Sequence, residues 1–160
     1  MTATITTDAA LAVRGLTKRY GARTVVDGLD IEVPRGSIAG FVGPNGAGKT
    51  TTMAMLLGLV RPTGGTGHVL GDPLDDPAQY LPRVGALIES PAFYPALTGR
   101  ENLHFLATVG GHPPERVDAV LDEVGLLDRN GDRGNDRFRN YSLGMKQRLG
   151  IAGALLGDPE

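Results

Sequence analysis

The sequence predicts an α/β fold: an antiparallel β part, a glycine-rich loop joining a buried strand to a helix, and then a block of helices. Three observations carry this. Apolar runs in the first half are short and separated by glycine, 24 of 160 residues in all, as where tight turns punctuate strands and backbone approaches a ligand. Gly43-Pro44-Asn45-Gly46-Ala47-Gly48-Lys49-Thr50 lies between an apolar run and a helix-forming run. After Glu89 the apolar spacing changes to the three-and-four pattern of helices.

Residues 1–10 read as a polar tail without the basic start or apolar middle of a signal peptide. Residues 11–13 are a short strand, and 24–33 (TVVDGLDIEV) alternate apolar and polar about Asp27-Gly28, giving antiparallel strands with one solvated face. Pro34-Arg35-Gly36 is a turn, and 37–42 (SIAGFV) a continuous apolar run expected to be a buried parallel strand. Residues 50–60 follow as a helix with Met53, Leu56, Leu57 and Val60 on one face. The turn cluster 61–67 leads to a strand near 68–70, residues 71–82 form a loop with one helical turn, and 84–88 are a second buried strand.

Residues 98–109 are predicted helical, with Thr98 and Glu101 spaced as a capping box. Proline opens a second helix over 114–124, with Val117, Val120, Leu121 and Val124 on one face. Polar residues 129–140 form a loop, and Ser142 caps a third helix over 142–156. The expected division is a core over 11–89 and a helical subdomain over 90–157, parted near Pro91 and Pro95.

Composition narrows the chemistry. With no cysteine, disulfides, thiolate zinc sites and cysteine nucleophiles are out. A formal net charge of −2 argues against a nucleic-acid partner. No apolar run reaches the ~18 residues a membrane span needs, so a membrane role would pass through a partner. His68, His104 and His112 match no metal-binding spacing and read as surface or packing residues.

Residues 43–50 fit the phosphate-binding pattern G-x-x-x-x-G-K-[ST]. Gly43, Gly46 and Gly48 let Pro44, Asn45 and Ala47 curve so that backbone N–H groups, extended by Thr51 in the helix, converge on phosphate oxygens. Lys49 supplies a point charge for the β- and γ-phosphates, and the Thr50 hydroxyl is a ligand for Mg²⁺. The loop specifies a nucleotide phosphate and leaves its fate open.

Tyr141-Ser142-Leu143-Gly144-Met145-Lys146-Gln147-Arg148 narrows the field, because it resembles the signature motif of ATP-binding cassette (ABC) transporter ATPases, LSGGQ followed by a KQR-like run. Ser142 and Gly144 match, while Leu143 replaces the first glycine and Met145 the glutamine. A serine at a helix N-terminus offers a hydroxyl and free N–H groups to an anion. In the family that anion is the γ-phosphate of ATP bound by the opposite subunit.

The resemblance runs from about residue 10 to 160. It places Tyr20 where the family stacks an aromatic ring on adenine. It places Glu89 at the family's Q-loop glutamine position, as a further Mg²⁺ ligand. Residues 90–102 (SPAFYPALTGREN) resemble the subgroup exporting bacitracin-like and lantibiotic peptides, which carries Glu there. The implied protein is the ATP-binding subunit of an exporter, paired with a second ATPase subunit and docked on transmembrane permease subunits near residues 89–94. It would sit in the cytoplasm against the inner face of the cell membrane.

Family Walker B, D-loop and switch-histidine segments follow the stretch Gly157-Asp158-Pro159 and have no counterpart in residues 1–160. The expectation is an ABC-type core truncated before Walker B, with no catalytic residue of its own, marginal stability, and ATP hydrolysis near background. A nucleotide-binding fragment or regulatory remnant without turnover stays open beside the transporter reading. A soluble kinase or GTPase leaves residues 141–148 unexplained.

Overall fold

The computed structural model describes residues 9–88, 92–128 and 131–160. The backbone divides into two compact units, one running to Leu81 and the other from Pro82.

In the first unit, β1 (Ala9–Tyr20) and β2 (Arg23–Pro34) form a long antiparallel hairpin, and β3 (Gly64–Val69) and β4 (Asp72–Pro73) extend the sheet in the order β2-β1-β3-β4. The sequence predicts shorter strands here. β1 reaches twelve residues because a bulge at Gly15 (φ +63°) carries the chain past Val13 without ending the ladder. Side chains finish the bulge: Gly15 N–H donates to Asp30 Oδ1 at 2.6 Å, and Gly28 N–H donates to Thr17 Oγ1 at 3.0 Å. Gly28 (φ +60°) therefore bends β2 and does not divide it into two strands. Val13, Leu16, Val26, Met55, Val69, Leu74 and Tyr80 fill the core beneath the sheet.

Two expected strands are absent. Residues 37–42 and 84–88 are irregular, with Ile38 and Val42 almost fully exposed. A parallel strand exists only through hydrogen bonds to neighbours remote in sequence. Among the described residues no strand pairs with either run.

The helix after the loop, α1 (Lys49–Leu56), also departs from expectation. It buries Thr52 and Met55, while Met53 lies exposed. Gly58 in the left-handed region (φ +67°) stops it short of Val60, so the predicted face is never completed. The Tyr80 hydroxyl, at the end of the short α2 (Pro77–Tyr80), donates to Leu56 O at 2.9 Å and satisfies a carbonyl at the C-terminus of α1.

The second unit is built on α3 (Gly99–Gly110), α4 (Arg116–Glu123) and α5 (Leu143–Leu155). Val117, Val120 and Leu121 face Leu103, Ala107, Phe138, Tyr141, Leu149 and Ala152 in one core, with Val124 packed on it as its spacing predicts. The Thr98–Glu101 capping box forms: Glu101 N–H donates to Thr98 Oγ1 at 3.1 Å, and Thr98 N–H to Glu101 Oε2 at 2.7 Å. Between α4 and α5, the two-residue strands β5 (Leu127–Asp128) and β6 (Gly131–Asp132) pair, and two 3₁₀ turns follow at Arg133–Asn135 and Phe138–Asn140. No described helix is long and apolar enough to cross a membrane.

Candidate functional site

The loop over residues 43–48 delivers the chain into α1 through two left-handed glycines, Gly46 (φ +85°) and Gly48 (φ +88°). Gly48 is also a packing residue. A Cβ there would stand 2.7 Å from Val25 O and 2.9 Å from Val26 Cγ2, so only glycine lets α1 start against β2. Around Gly46 the same position meets open space, leaving room for a ligand at the loop. Ala47 N–H donates to Pro44 O at 3.2 Å and closes the turn.

Lys49 extends across this loop. Its Nζ donates to Gly43 O at 2.7 Å and Pro44 O at 2.8 Å, which holds the ammonium over the loop. The first turn of α1, Lys49-Thr50-Thr51, has N–H groups without intrahelical acceptors, and it contains no acidic residue to offset the positive helix end. Fixed N–H donors, a cation and open space are what a chain of phosphates requires. Thr50 is exposed and presents one hydroxyl. One hydroxyl fits Mg²⁺ carried in on phosphates, since that ion keeps several waters and takes few protein ligands. No group of three or more acidic, His or Cys side chains that could hold a metal occurs among the described residues. Glu89, the second expected metal ligand, lies outside the described residues.

Tyr20 ends β1 opposite Arg23, at the same end of β2 as the Val25–Val26 segment on which Gly48 packs. Its ring is half exposed, and Lys18 Nζ lies 4.9 Å from the ring centroid while donating to Arg61 O at 2.6 Å. A strand carries residues two apart on one face, so the Lys18–Tyr20 spacing is itself the sequence signal for this pairing.

In the second unit, Ser142 is the N-cap of α5, and its Oγ accepts from Met145 N–H at 3.3 Å. No acidic residue occupies the first turn. Leu143 is 76% exposed, and Gly144 has nothing within 4 Å of where a Cβ would stand. Met145 instead packs on the helical core. Three of the four signature positions thus face outward while the fourth anchors the helix.

Tyr141, just before them, is buried and donates its hydroxyl to Arg133 O at 2.7 Å. Burial, reinforced by the negative charges of Asp136 and Asp132, pushes that hydroxyl's pKa up to about 12. The phenol therefore stays a neutral donor.

Sequence reasoning also missed Asn102. Buried on α3, it holds the backbone of Tyr94 from both sides: Oδ1 accepts from Tyr94 N–H at 2.8 Å, and Nδ2 donates to Tyr94 O at 3.1 Å. Its signal was a polar residue beside Leu103 on the buried face of an amphipathic helix. The Tyr94 ring, 53% exposed, meets Phe105 edge to face at 5.3 Å.

The sequence profile of the ABC transporter family matches residues 26–160. The chain belongs to the ABC transporter family. Among curated members, it is 48% identical to the bacitracin transport ATP-binding protein BcrA of Bacillus licheniformis over 91% of this chain and 47% of that protein. It is 35% identical to the lantibiotic transport ATP-binding protein SrtF of Streptococcus pyogenes over 94% of this chain and 63% of that protein. The solved structure of an ATP-binding subunit of an ABC transporter superposes with a TM-score of 0.77 at 31% identity, over 94% of this chain and 63% of that one. This ABC transporter chain thus spans about half the length of BcrA.

Proposed function

We propose that this chain is the ATP-binding part of an ABC transporter subunit that works in pairs. The observation carrying this reading is the loop itself, with left-handed glycines at 46 and 48, Lys49 held over it, and an uncompensated α1 N-terminus behind it. Tyr20 stacks on adenine, residues 43–51 hold the phosphates, and Thr50 with Glu89 ligates the Mg²⁺ that screens phosphate charge. Ser142, Leu143 and Gly144, with Met145 anchoring them, close on the γ-phosphate held by a second copy. The outward-facing N-terminus of α5 supports that role.

The names of the relatives support bacitracin or lantibiotic transport as the process served, and export is the direction that the resemblance of residues 90–102 to the exporter subgroup implies. The permease docks beside Tyr94 and its neighbours. The subunit then lies in the cytoplasm, held at the inner face of the membrane by that partner. Residues 1–160 assayed as a separate polypeptide bind nucleotide but turn it over near background, because they offer no general base matching the family's Walker B glutamate.

Equilibrium binding of a fluorescent ATP analogue with Mg²⁺ tests the reading. Lys49→Ala weakens binding tenfold or more, the scale of one lost charge-assisted contact. Equal binding by both proteins would remove the loop from the site.

A further inference from the structure

The segment that delivers the chain into the signature is stitched to the start of α3. Phe138 N–H donates to Leu97 O at 2.9 Å, Arg139 N–H to Pro95 O at 3.1 Å, and Gly99 N–H to Asp136 O at 3.2 Å. One side chain joins this stitching from the helix. The Arg100 guanidinium donates to Asp132 Oδ2 at 2.7 Å, to Asn135 Oδ1 at 3.3 Å, and to Asp118 Oδ1 on α4. Three acceptors from three elements, β6, the 3₁₀ turn after it and α4, use the planar fork in a way a lysine cannot reproduce. The Arg100 side chain is 21% exposed while Asp132 and Asp118 are 38% and 66% exposed, so solvent screens these pairs and their geometry matters more than their charge.

The contacts continue toward the signature. Asp132 Oδ1 accepts from Gly134 N–H at 2.8 Å, and Asn135 Nδ2 donates back to Asp132 Oδ2 at 2.6 Å. This fixes the turn that presents the Arg133 carbonyl. The Tyr141 hydroxyl donates to that carbonyl, and Ser142 is the next residue. Among the described residues, the side-chain hydrogen bonds of Arg100 go to Asn135, Asp118 and Asp132 and none goes to Ser142. A salt bridge serving stability alone would not need to end on the turn that receives the residue before the signature serine.

We propose that Arg100 is a positioning residue for the signature: through Asp132, Asn135 and the Arg133 carbonyl it holds Tyr141, and with it Ser142 at the start of α5, in the orientation that meets the second copy's ATP. This inference rests on the reading that Ser142 meets the γ-phosphate in trans. The phosphate loop lies outside the network, so the clamp governs the paired, turning-over state and not nucleotide capture.

The test uses ATPase and nucleotide-binding assays on the full-length subunit. Arg100→Lys keeps the charge and loses the fork. Tyr141→Phe loses only the hydroxyl and keeps the ring on Phe138. Each variant lowers kcat about tenfold, within the ~100-fold that a 1 Å misplacement can cost, and leaves fluorescent-ATP affinity within twofold. The double variant loses no more than the worse single one, because both break the same path. Full additivity in kcat, or loss of ATP affinity in step with kcat, would reduce Arg100 to a structural residue and overturn the proposal. Ser142→Ala separates the two levels: normal kcat there sinks the signature reading and the inference with it, while impaired kcat there beside normal Arg100→Lys and Tyr141→Phe sinks the inference alone. If Arg100→Lys does not fold, Tyr141→Phe still decides, since normal kcat in that variant breaks the path at its last link.

Discussion

Replacing Gly99 with alanine should destabilise the helical unit through one contact. Gly99 is the first residue of α3, and a Cβ there would overlap the Tyr141 hydroxyl, stand 3.0 Å from Tyr141 Cζ, and lie 3.4 Å from Leu149 Cδ1. Tyr141 is buried and Leu149 fully so, which leaves the ring little room to retreat without breaking its 2.7 Å bond to Arg133 O. Overpacking costs about 1–3 kcal/mol, and an orphaned buried partner costs a further ~1–3 kcal/mol. Alanine returns at most ~1 kcal/mol of helix propensity. The expected net loss is about 3 kcal/mol, read as the shift in urea unfolding of the full-length chain followed by circular dichroism. Measured in a Tyr141→Phe background, where the overlapping oxygen is gone, the same substitution should cost about half as much. A neutral or stabilising Gly99→Ala, or an equal penalty in both backgrounds, would refute the reasoning.

Two pH dependences follow from the same unit. Because the Tyr141 pKa is raised from its ordinary 10.0 to about 12, its contribution to stability is complete below pH 10 and is lost as pH rises toward 12, where the folded phenol ionises; urea midpoints across that range should fall less steeply in Tyr141→Phe. The Glu101 carboxylate is held below its ordinary 4.5, chiefly by the Thr98 backbone N–H and then by the Thr98 side chain. Its contribution is present above that value and lost on acidification, and Glu101→Gln should flatten the acid limb of the same measurement.

Legibility of the sequence followed how local the cause was. The capping box at Thr98, the N-cap at Ser142 and the face of α4 rest on contacts within a helical turn or one apolar stripe, and all appear as read. The phosphate loop was legible because its glycines answer to backbone geometry, although the contact between Gly48 and Val25 needed the sheet in place. Residues 37–42 and 84–88 show the opposite case: apolar composition licenses a buried strand but cannot supply its neighbours. At Gly58 two local signals compete, an apolar spacing that runs on to Val60 and a glycine that takes φ +67°, and the glycine ends α1. Arg100 and Asn102 stayed hidden because a polar residue on an amphipathic helix carries no mark of what it holds across the fold.

The pairing at the centre of this account can be trapped directly. Residues 1–160 contain no cysteine, so Asn45→Cys in the phosphate loop and Leu143→Cys in the signature, both exposed positions, give a clean background within this region. The two variants, mixed as full-length subunits under mild oxidation, should form a disulfide-linked dimer with MgATP, and should form much less without nucleotide or when Lys49→Ala is added to the Asn45→Cys chain. Cross-linking indifferent to ATP and to Lys49, or none at all while the analogue still binds, would contradict the head-to-tail pairing.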